Sequence, residues 1–335
     1  MGIKYSVAVA TYNGEKYIAR QIRSILEQTF PVHEIIVSDD GSNDKTVDIV
    51  KSLDYKGVSI KIFSNTDRHG CCGNFENAIK MCTGDYIFLA DQDDVWFPNK
   101  VEMFNAFISR TPSALCIASD GILIGPDGRK IDGEFSPIFR HVPGSSCKMR
   151  QEKYLTYIVQ TYLVRGMALC VSRELLDLMI PFPKTFAAHD KWIVFCALCK
   201  DSFYLIHEKL VKYRIHDSNT CGHAAAAGRS FKQTISKVNR YRKNWNHSES
   251  YEIAVAMART LDEQGLQDTP AYHIVQMILM SSRKEYEVLH GSGIKGAAEF
   301  IRFCHSDKVY RDGNKKSVMA YRTLRVLMSR EQERE

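Results

Sequence analysis

With 335 residues, 44% of them hydrophobic and 25% charged, the chain has the makeup of a folded globular protein with room for one large domain, or a catalytic domain and an appendage. That excludes a disordered, collagen-like or low-complexity chain. Lys and Arg number 45 against 39 Asp and Glu, and the whole excess falls from Arg229 onward, where 19 basic residues accompany 13 acidic ones. Such a tail serves an anionic membrane surface, an anionic acceptor or a solvated helix face, and with acids interleaved and no reading motif nucleic acid is not an expected partner.

The ten cysteines show no regular framework and read as free thiols of a reducing compartment. No window of about 18 apolar residues and no signal-peptide pattern is found, so the expectation is a cytoplasmic protein, peripheral at most on the inner face of a membrane.

In chain order, "YSVAVA" (5–10) predicts a strand, and "TYNGEKYIARQIRSILEQ" a helix with Ile18, Ile22, Ile25 and Leu26 on one face and Asn13 as its N-cap. "EIIVSDD" (34–40) is a second buried strand, followed by a helix capped by Ser42, and "VSIKIF" (58–63) is a third. A loop and helix in "GCCGNFENAIKMCTGD" lead to the strand "YIFLA" and the cluster Asp91, Gln92, Asp93, Asp94. Short βα units of this kind predict a parallel sheet whose carboxyl edge gathers Thr11, Asp39, Asp40 and the acids from Asp91 to Asp94. Further on, "LIGPDGRKIDGEF" predicts a strand, turn and strand, "AAHDKWIVFCALCK" a helix opened by His189 and Asp190, and "FYLIHEKLVKYRIH" a pair of strands. From 229 the pattern becomes helical, and the small residues of "GHAAAAGR" (222–229) suit a linker.

Two carboxylates one residue apart in an extended segment point the same way, so Asp91 and Asp93 can converge on one cation. So few oxygen ligands suit Mg²⁺ or Mn²⁺ that keeps positions for water and for the oxygens of a diphosphate. A blander reading makes these acids the cap of the next helix, although three are more than a cap needs. The pair Asp39 and Asp40 suits hydrogen bonds from a base N–H or ribose hydroxyls, or else an Asx turn.

The segments "VAVATYNGEKYIARQIRSILEQTF", "EIIVSDDGSNDKT", "NFENAIKMCTGDYIFLADQDDVW", "RGMALCVSREL", "AHDKW" and "YRIH", in that order over residues 4 to 220, resemble family 2 glycosyltransferases of the GT-A fold, among them bacterial rhamnosyltransferases. The resemblance implies a Rossmann-like, mostly parallel sheet flanked by helices over residues 1–222, with a helical appendage at 229–335 for acceptor, partner or membrane contacts. It implies a metal-dependent, inverting transfer of a sugar such as rhamnose, galactose or glucose from a UDP- or dTDP-linked donor to a hydroxyl of a glycan or lipid-linked glycan. By position, Thr11, Tyr12, Asn13, Asp39 and Asp40 hold the nucleoside, and Asp91 and Asp93 form the Asp-x-Asp motif that binds Mn²⁺ or Mg²⁺. Gly166 lies in the glycine loop under the donor sugar, Asp190 is the catalytic base, and His216 completes metal or diphosphate binding. Asp94 and His189, where many relatives have Glu, are further candidates for contacts to sugar or acceptor. Trp96 and Trp192 belong either to that set or to the core. Such a chain is compatible with a homo-oligomer.

Two other readings compete. A sugar-nucleotide pyrophosphorylase wants a glycine-rich, basic triphosphate loop near the first strand, which "ATYNGEKYIA" does not supply. A non-catalytic nucleotide- or glycan-binding module has no need of Asp93 and Asp190 together.

Overall fold

The computed structural model describes residues 2–141, 144–158, 164–184, 188–217, 219 and 249–289. The chain divides into two compact units, Met1–Met149 with Leu163–Gly228, and Arg150–Tyr162 with Arg229–Glu335. The segment 222–229 and most of the basic tail lie outside the described residues.

The first unit opens with β1 (Tyr5–Thr11), α1 (Ile18–Leu26), β2 (Glu34–Asp39), α2 (Thr46–Lys51), β3 (Ser59–Ser64), α3 (Cys71–Met81) and β4 (Tyr86–Asp91). These four strands are mutually parallel in the order β3-β2-β1-β4. β2 is buried along its whole length and β1 and β4 nearly so, which is why they read as unbroken apolar runs, whereas the edge strand β3 is half exposed. α1 buries Ile18, Ile22 and Ile25, and α3 buries Phe75, Ala78 and Ile79, each at helical spacing.

The sheet continues through β5 (Val95–Trp96), β6 (Cys116–Ile124), β7 (Ser146–Lys148), β8 (Leu169–Ser172) and β9 (Phe203–Arg214), giving the full order β3-β2-β1-β4-β8-β6-β9-β5 with β7 on β9. β8 runs antiparallel to both β4 and β6, so the C-terminal half is mixed. α4 (Lys100–Arg110), α6 (Leu176–Met179) and α7 (His189–Cys199) belong to this unit, and α7 is buried at nine of its eleven positions.

Several local expectations are corrected. Residues 203–214 form one strand rather than two; the break that Glu208 and Lys209 suggest is a register shift against β6 at Asp120. The second strand expected after Gly125 reduces to a bridge between Ile124 and Lys130. Neither Asn13 nor Ser42 caps a helix: Tyr17 and Lys45 stand at the N-cap positions, and the polar side chains in front of them tie loops together. Cys196 and Cys199 form a Cys-x-x-Cys pair inside α7, but burial raises both thiols far above their ordinary range, making them packing residues. The eight cysteines among the described residues are thiols.

The described residues of the second unit are mostly helical. The unit contains α5 (Gln151–Ile158), α8 (Glu249–Glu263) and α9 (Pro270–Leu289), with α9 packed on both α8 and α5. Its core is Leu155 and Ile158 with Ile253, Met257 and Leu261 from α8 and Ile274, Val275 and Ile278 from α9.

Candidate functional site

Strand register builds the site. Thr11 pairs with Asp39 and Ala10 with Asp91, so the last residues of β2, β1 and β4 finish side by side at the carboxyl edge of the sheet. The loops leaving that edge are bonded to one another. Asn13, held at φ 48°, donates its N–H to Ser42 Oγ at 2.9 Å and accepts the Asn43 N–H on Oδ1 at 2.9 Å. Asp39 accepts the Ser42 hydroxyl and the Gly41 and Ser42 N–H groups, which makes it the Asx turn that the alternative reading described. Asp40 accepts from Asn65 Nδ2 at 2.7 Å and the Gly70 N–H at 2.7 Å, and faces His69 Nδ1 at 2.9 Å. Both acids therefore shape the loops at this edge of the sheet, and Tyr12 stands out of them, 51% exposed.

Gln92 joins this side to the acidic turn. Its Oε1 accepts the Thr11 hydroxyl at 2.6 Å and the Tyr12 N–H at 2.9 Å, while its Nε2 donates to the Tyr12 carbonyl at 3.0 Å. It comes so close to Gly14 that a Cβ there would overlap its amide. Sequence reasoning gave Gln92 no role, since a glutamine between acids reads as a solvated residue.

Asp91 ends β4 and Asp93 lies in the turn that follows, so the expectation of one extended segment is corrected and the three acids take different environments. Burial pushes the Asp91 carboxyl up to about 8, with the charges of Asp93 and Asp190 adding and that of Arg165 opposing. Asp93 faces His216 Nε2 at 2.7 Å through Oδ2, with Asn219 Nδ2 at 3.3 Å, and its carbonyl accepts from Arg214 Nε at 2.7 Å. Asp94 is buried beneath the turn, accepts the Arg214 N–H at 2.8 Å and is raised well above the usual carboxylate range, first by burial and then by Asp93 and Asp91.

Asp190 sits in the first turn of α7, half-buried, accepting the Lys191 N–H at 2.7 Å. It is close enough to Asp91 for its charge to oppose ionisation there. The 3-10 turn Gly166–Ala168 packs on β4, and its Gly166 is buried and has the His189 ring where a Cβ would project. The residue type at 166 is thus fixed by packing against His189. Arg165, just before it, is anchored by Nε to the Phe135 carbonyl at 3.1 Å and lies 4.3 Å from the Tyr213 ring centroid; it is a cation of the site that sequence reasoning missed.

The four further candidates for sugar or acceptor contacts are all buried, the two tryptophans in keeping with the core reading that they also allowed. Asp94 is 0% exposed, Trp192 1%, Trp96 2% and His189 6%. Trp192 donates Nε1 to the Met179 carbonyl at 2.7 Å, and His189 stacks on Phe75 at 4.0 Å with Nδ1 facing Cys71 Sγ at 3.6 Å. Large rings after a strand or inside an apolar helix fill core volume, and here they support the site from below.

Among the described residues no three His, Cys, Asp or Glu side chains already surround a common point. Asp93 and His216 are paired with each other, and Asp91 meets them through charge. Two oxygen donors and an imidazole on one edge, with the ionised form of Asp91 opposed by its neighbours, fit a divalent cation that also takes ligands from a substrate.

The chain matches the family described as "Glycosyl transferase family 2" over residues 6–169. It is 29% identical over 269 residues to the "dTDP-rhamnosyl transferase RfbG" of Shigella flexneri, covering 75% of this chain and 84% of that protein. Over 98 residues, 29% of this chain and 38% of the relative, it is 37% identical to the Escherichia coli "UDP-Glc:alpha-D-GlcNAc-diphosphoundecaprenol beta-1,3-glucosyltransferase WfgD". Among solved structures, S. aureus TarS residues 1–349 in complex with UDP-GlcNAc superposes with a TM-score of 0.62 at 16% identity, covering 96% of this chain and 88% of that one.

Proposed function

For a chain that belongs to glycosyl transferase family 2 and carries the GT-A fold, we propose a divalent-metal-dependent, inverting transfer of a sugar from a UDP- or dTDP-linked donor to a hydroxyl of a glycan or lipid-linked glycan. Family membership makes it a transferase, and the pyrophosphorylase and binding-module readings fall away. One observation carries the finer reading: the half-buried carboxylate of Asp190 is near enough to Asp91 for its charge to raise that carboxyl, with no second carboxylate beside it in the first turn of α7.

In this reading the loops around Thr11, Tyr12, Asn13, Asp39 and Asp40 seat the nucleoside, and Gly166 with Arg165 borders the donor sugar. Asp190 takes the proton of the acceptor hydroxyl as its oxygen forms the new bond to the anomeric carbon. The bond to the nucleoside diphosphate breaks on the opposite face, giving inversion with one base and no acid partner. Asp91, Asp93 and His216 are the groups that hold Mn²⁺ or Mg²⁺, which when bound supplies Lewis-acid neutralisation of the leaving diphosphate. The rhamnosyl and glucosyl relatives, the second acting on a diphosphoundecaprenol, favour dTDP- or UDP-sugars and a lipid-linked acceptor. No helix among the described residues is long and apolar enough to cross a membrane, and the basic tail favours peripheral attachment to an anionic inner surface.

A thermal-shift panel of UDP, dTDP, GDP and their sugars, with and without Mn²⁺, tests the reading. UDP or dTDP and their sugars are expected to raise Tm chiefly with Mn²⁺, and the best donor to release its nucleoside diphosphate. A chain that none of these stabilises in either condition is not this enzyme.

A further inference from the structure

We infer that Lys100 is a positioning residue of the transfer site, a buried clamp that holds the Gly166 turn at a fixed distance from the acidic turn. This rests on the transferase reading above and deepens it.

Lys100 is the first residue of α4 and follows Asp94 by six positions, yet it is 0% exposed. Its Nζ donates to the Met167 carbonyl at 2.7 Å, inside the turn Gly166–Ala168, and stands 3.8 Å from the Trp96 ring centroid and 5.5 Å from that of Phe88. Burying an amine is unfavourable, and a leucine or methionine fills the same volume without that penalty, so a lysine here needs a polar reason. The carbonyl of Met167 supplies one, and the two ring faces add cation–π attraction. Burial lowers the amine to about 7, with Cys170 and Asp94 opposing, and both its charged and neutral forms can donate to that carbonyl.

The other side of the turn is closed as well. His189 fills the space that a Cβ on Gly166 would take, so the turn cannot move toward α7, while Lys100 prevents it from lifting away from α4. The acidic turn runs through Trp96 directly into α4, and His189 is the neighbour of Asp190. One hydrogen bond therefore couples three segments: the acids after β4, the turn under the proposed sugar, and the start of α7. Misplacing the reacting groups by an ångström costs about 10²-fold in rate without changing what the site binds.

The test uses the full chain as wild type, Lys100→Met and Lys100→Arg. For each, Tm, the Kd of UDP and dTDP in Mn²⁺, and the rate of nucleoside diphosphate release from the nucleotide sugar best stabilising the wild type are measured. Lys100→Met is expected to stay folded, bind UDP or dTDP within about twofold of wild type, and lose at least about tenfold in kcat with a smaller change in donor KM. Lys100→Arg, which keeps a donor for Met167, is expected to recover part of that loss. Turnover of folded Lys100→Met within twofold of wild type overturns the inference, as does a loss matched by an equal loss of UDP or dTDP binding. If Lys100→Met does not fold, Lys100→Gln takes its place with the same thresholds. A wild-type chain that binds nucleotide sugars but never releases nucleoside diphosphate overturns the transferase reading instead, a result independent of any variant.

Discussion

His216 Nε2 stands 2.7 Å from Asp93 Oδ2, a contact between residues 123 apart in sequence that joins the end of β9 to the acidic turn after β4. Tyr17 lies alongside, its ring centroid 5.0 Å from that of His216, and Asn219 closes the other flank by donating to both Asp93 and the Arg214 carbonyl. The imidazole is held where a cation shared with Asp93 and Asp91 can use it. Asp93→Asn is expected to abolish the Mn²⁺-dependent part of the Tm shift given by UDP or dTDP, and His216→Ala to raise the Mn²⁺ concentration needed for it about tenfold. Titrating Mn²⁺ at fixed nucleotide checks both, and an unchanged Mn²⁺ response in Asp93→Asn removes the residue from the cation site.

Asp190→Asn keeps the shape of the α7 N-terminus but cannot take a proton at neutral pH. Turnover is expected to fall about 10²–10⁴-fold, the usual contribution of a positioned general base. Binding of UDP or dTDP should change less than about twofold, because the nucleoside side proposed above is built from β1, β2 and their loops. Near-normal turnover with intact binding means that another group is the base.

Gly166→Ala places a methyl against His189 Nε2, which is buried against Phe75 and has no room to retreat. Overpacking of that kind costs about 1–3 kcal/mol, and the displaced turn should lower activity as well. Adding His189→Ala opens the space, so the double variant is expected to lose less stability than the two single losses added together. Denaturant unfolding of all four proteins measures the coupling; strict additivity refutes the packing account of Gly166.

The strands β1, β2 and β4 were legible because each is an apolar run buried on both faces and ended by turn residues or acids, a pattern that leaves few arrangements. Asp39, Asp40, Asp91, Asp93 and Asp190 were legible as a group since carboxylates at the ends of buried elements need compensation. Their partners were not. Gln92 and Asn65 belong to residue types that usually face solvent, and only the fold brings them to Tyr12 and Asp40. Lys100 has no sequence signal at all, because a lysine at a helix start reads as exposed until Trp96 and Phe88 are seen around it. Trp96 and Trp192 were open between substrate and core, and their size and neighbours draw them, like His189, into the core.

Glu34 offers a pH test well away from the chemistry, at the start of β2. Its side chain is 2% exposed, and it accepts the Ser6 hydroxyl at 2.8 Å, the Thr83 N–H at 2.6 Å and the Thr83 hydroxyl at 2.7 Å, with Lys61 Nζ at 3.1 Å. Burial alone would raise its pKa, but the hydrogen bonds from Thr83, Ser6 and Lys61 outweigh burial and bring it down from 4.5 to about 2. The unfolded chain therefore binds the proton first as pH falls. The stabilisation is fully present above 4.5 and is lost as pH drops through about 2. Glu34→Gln is expected to lose about 2 kcal/mol at pH 7, since it keeps the shape but loses the charge that strengthens those bonds. The gap to wild type should narrow steadily below pH 4.5. Urea unfolding at pH 7, 4 and 3 follows it, and a gap that stays constant across that range would show that the carboxylate's charge is not what Thr83 and Ser6 hold.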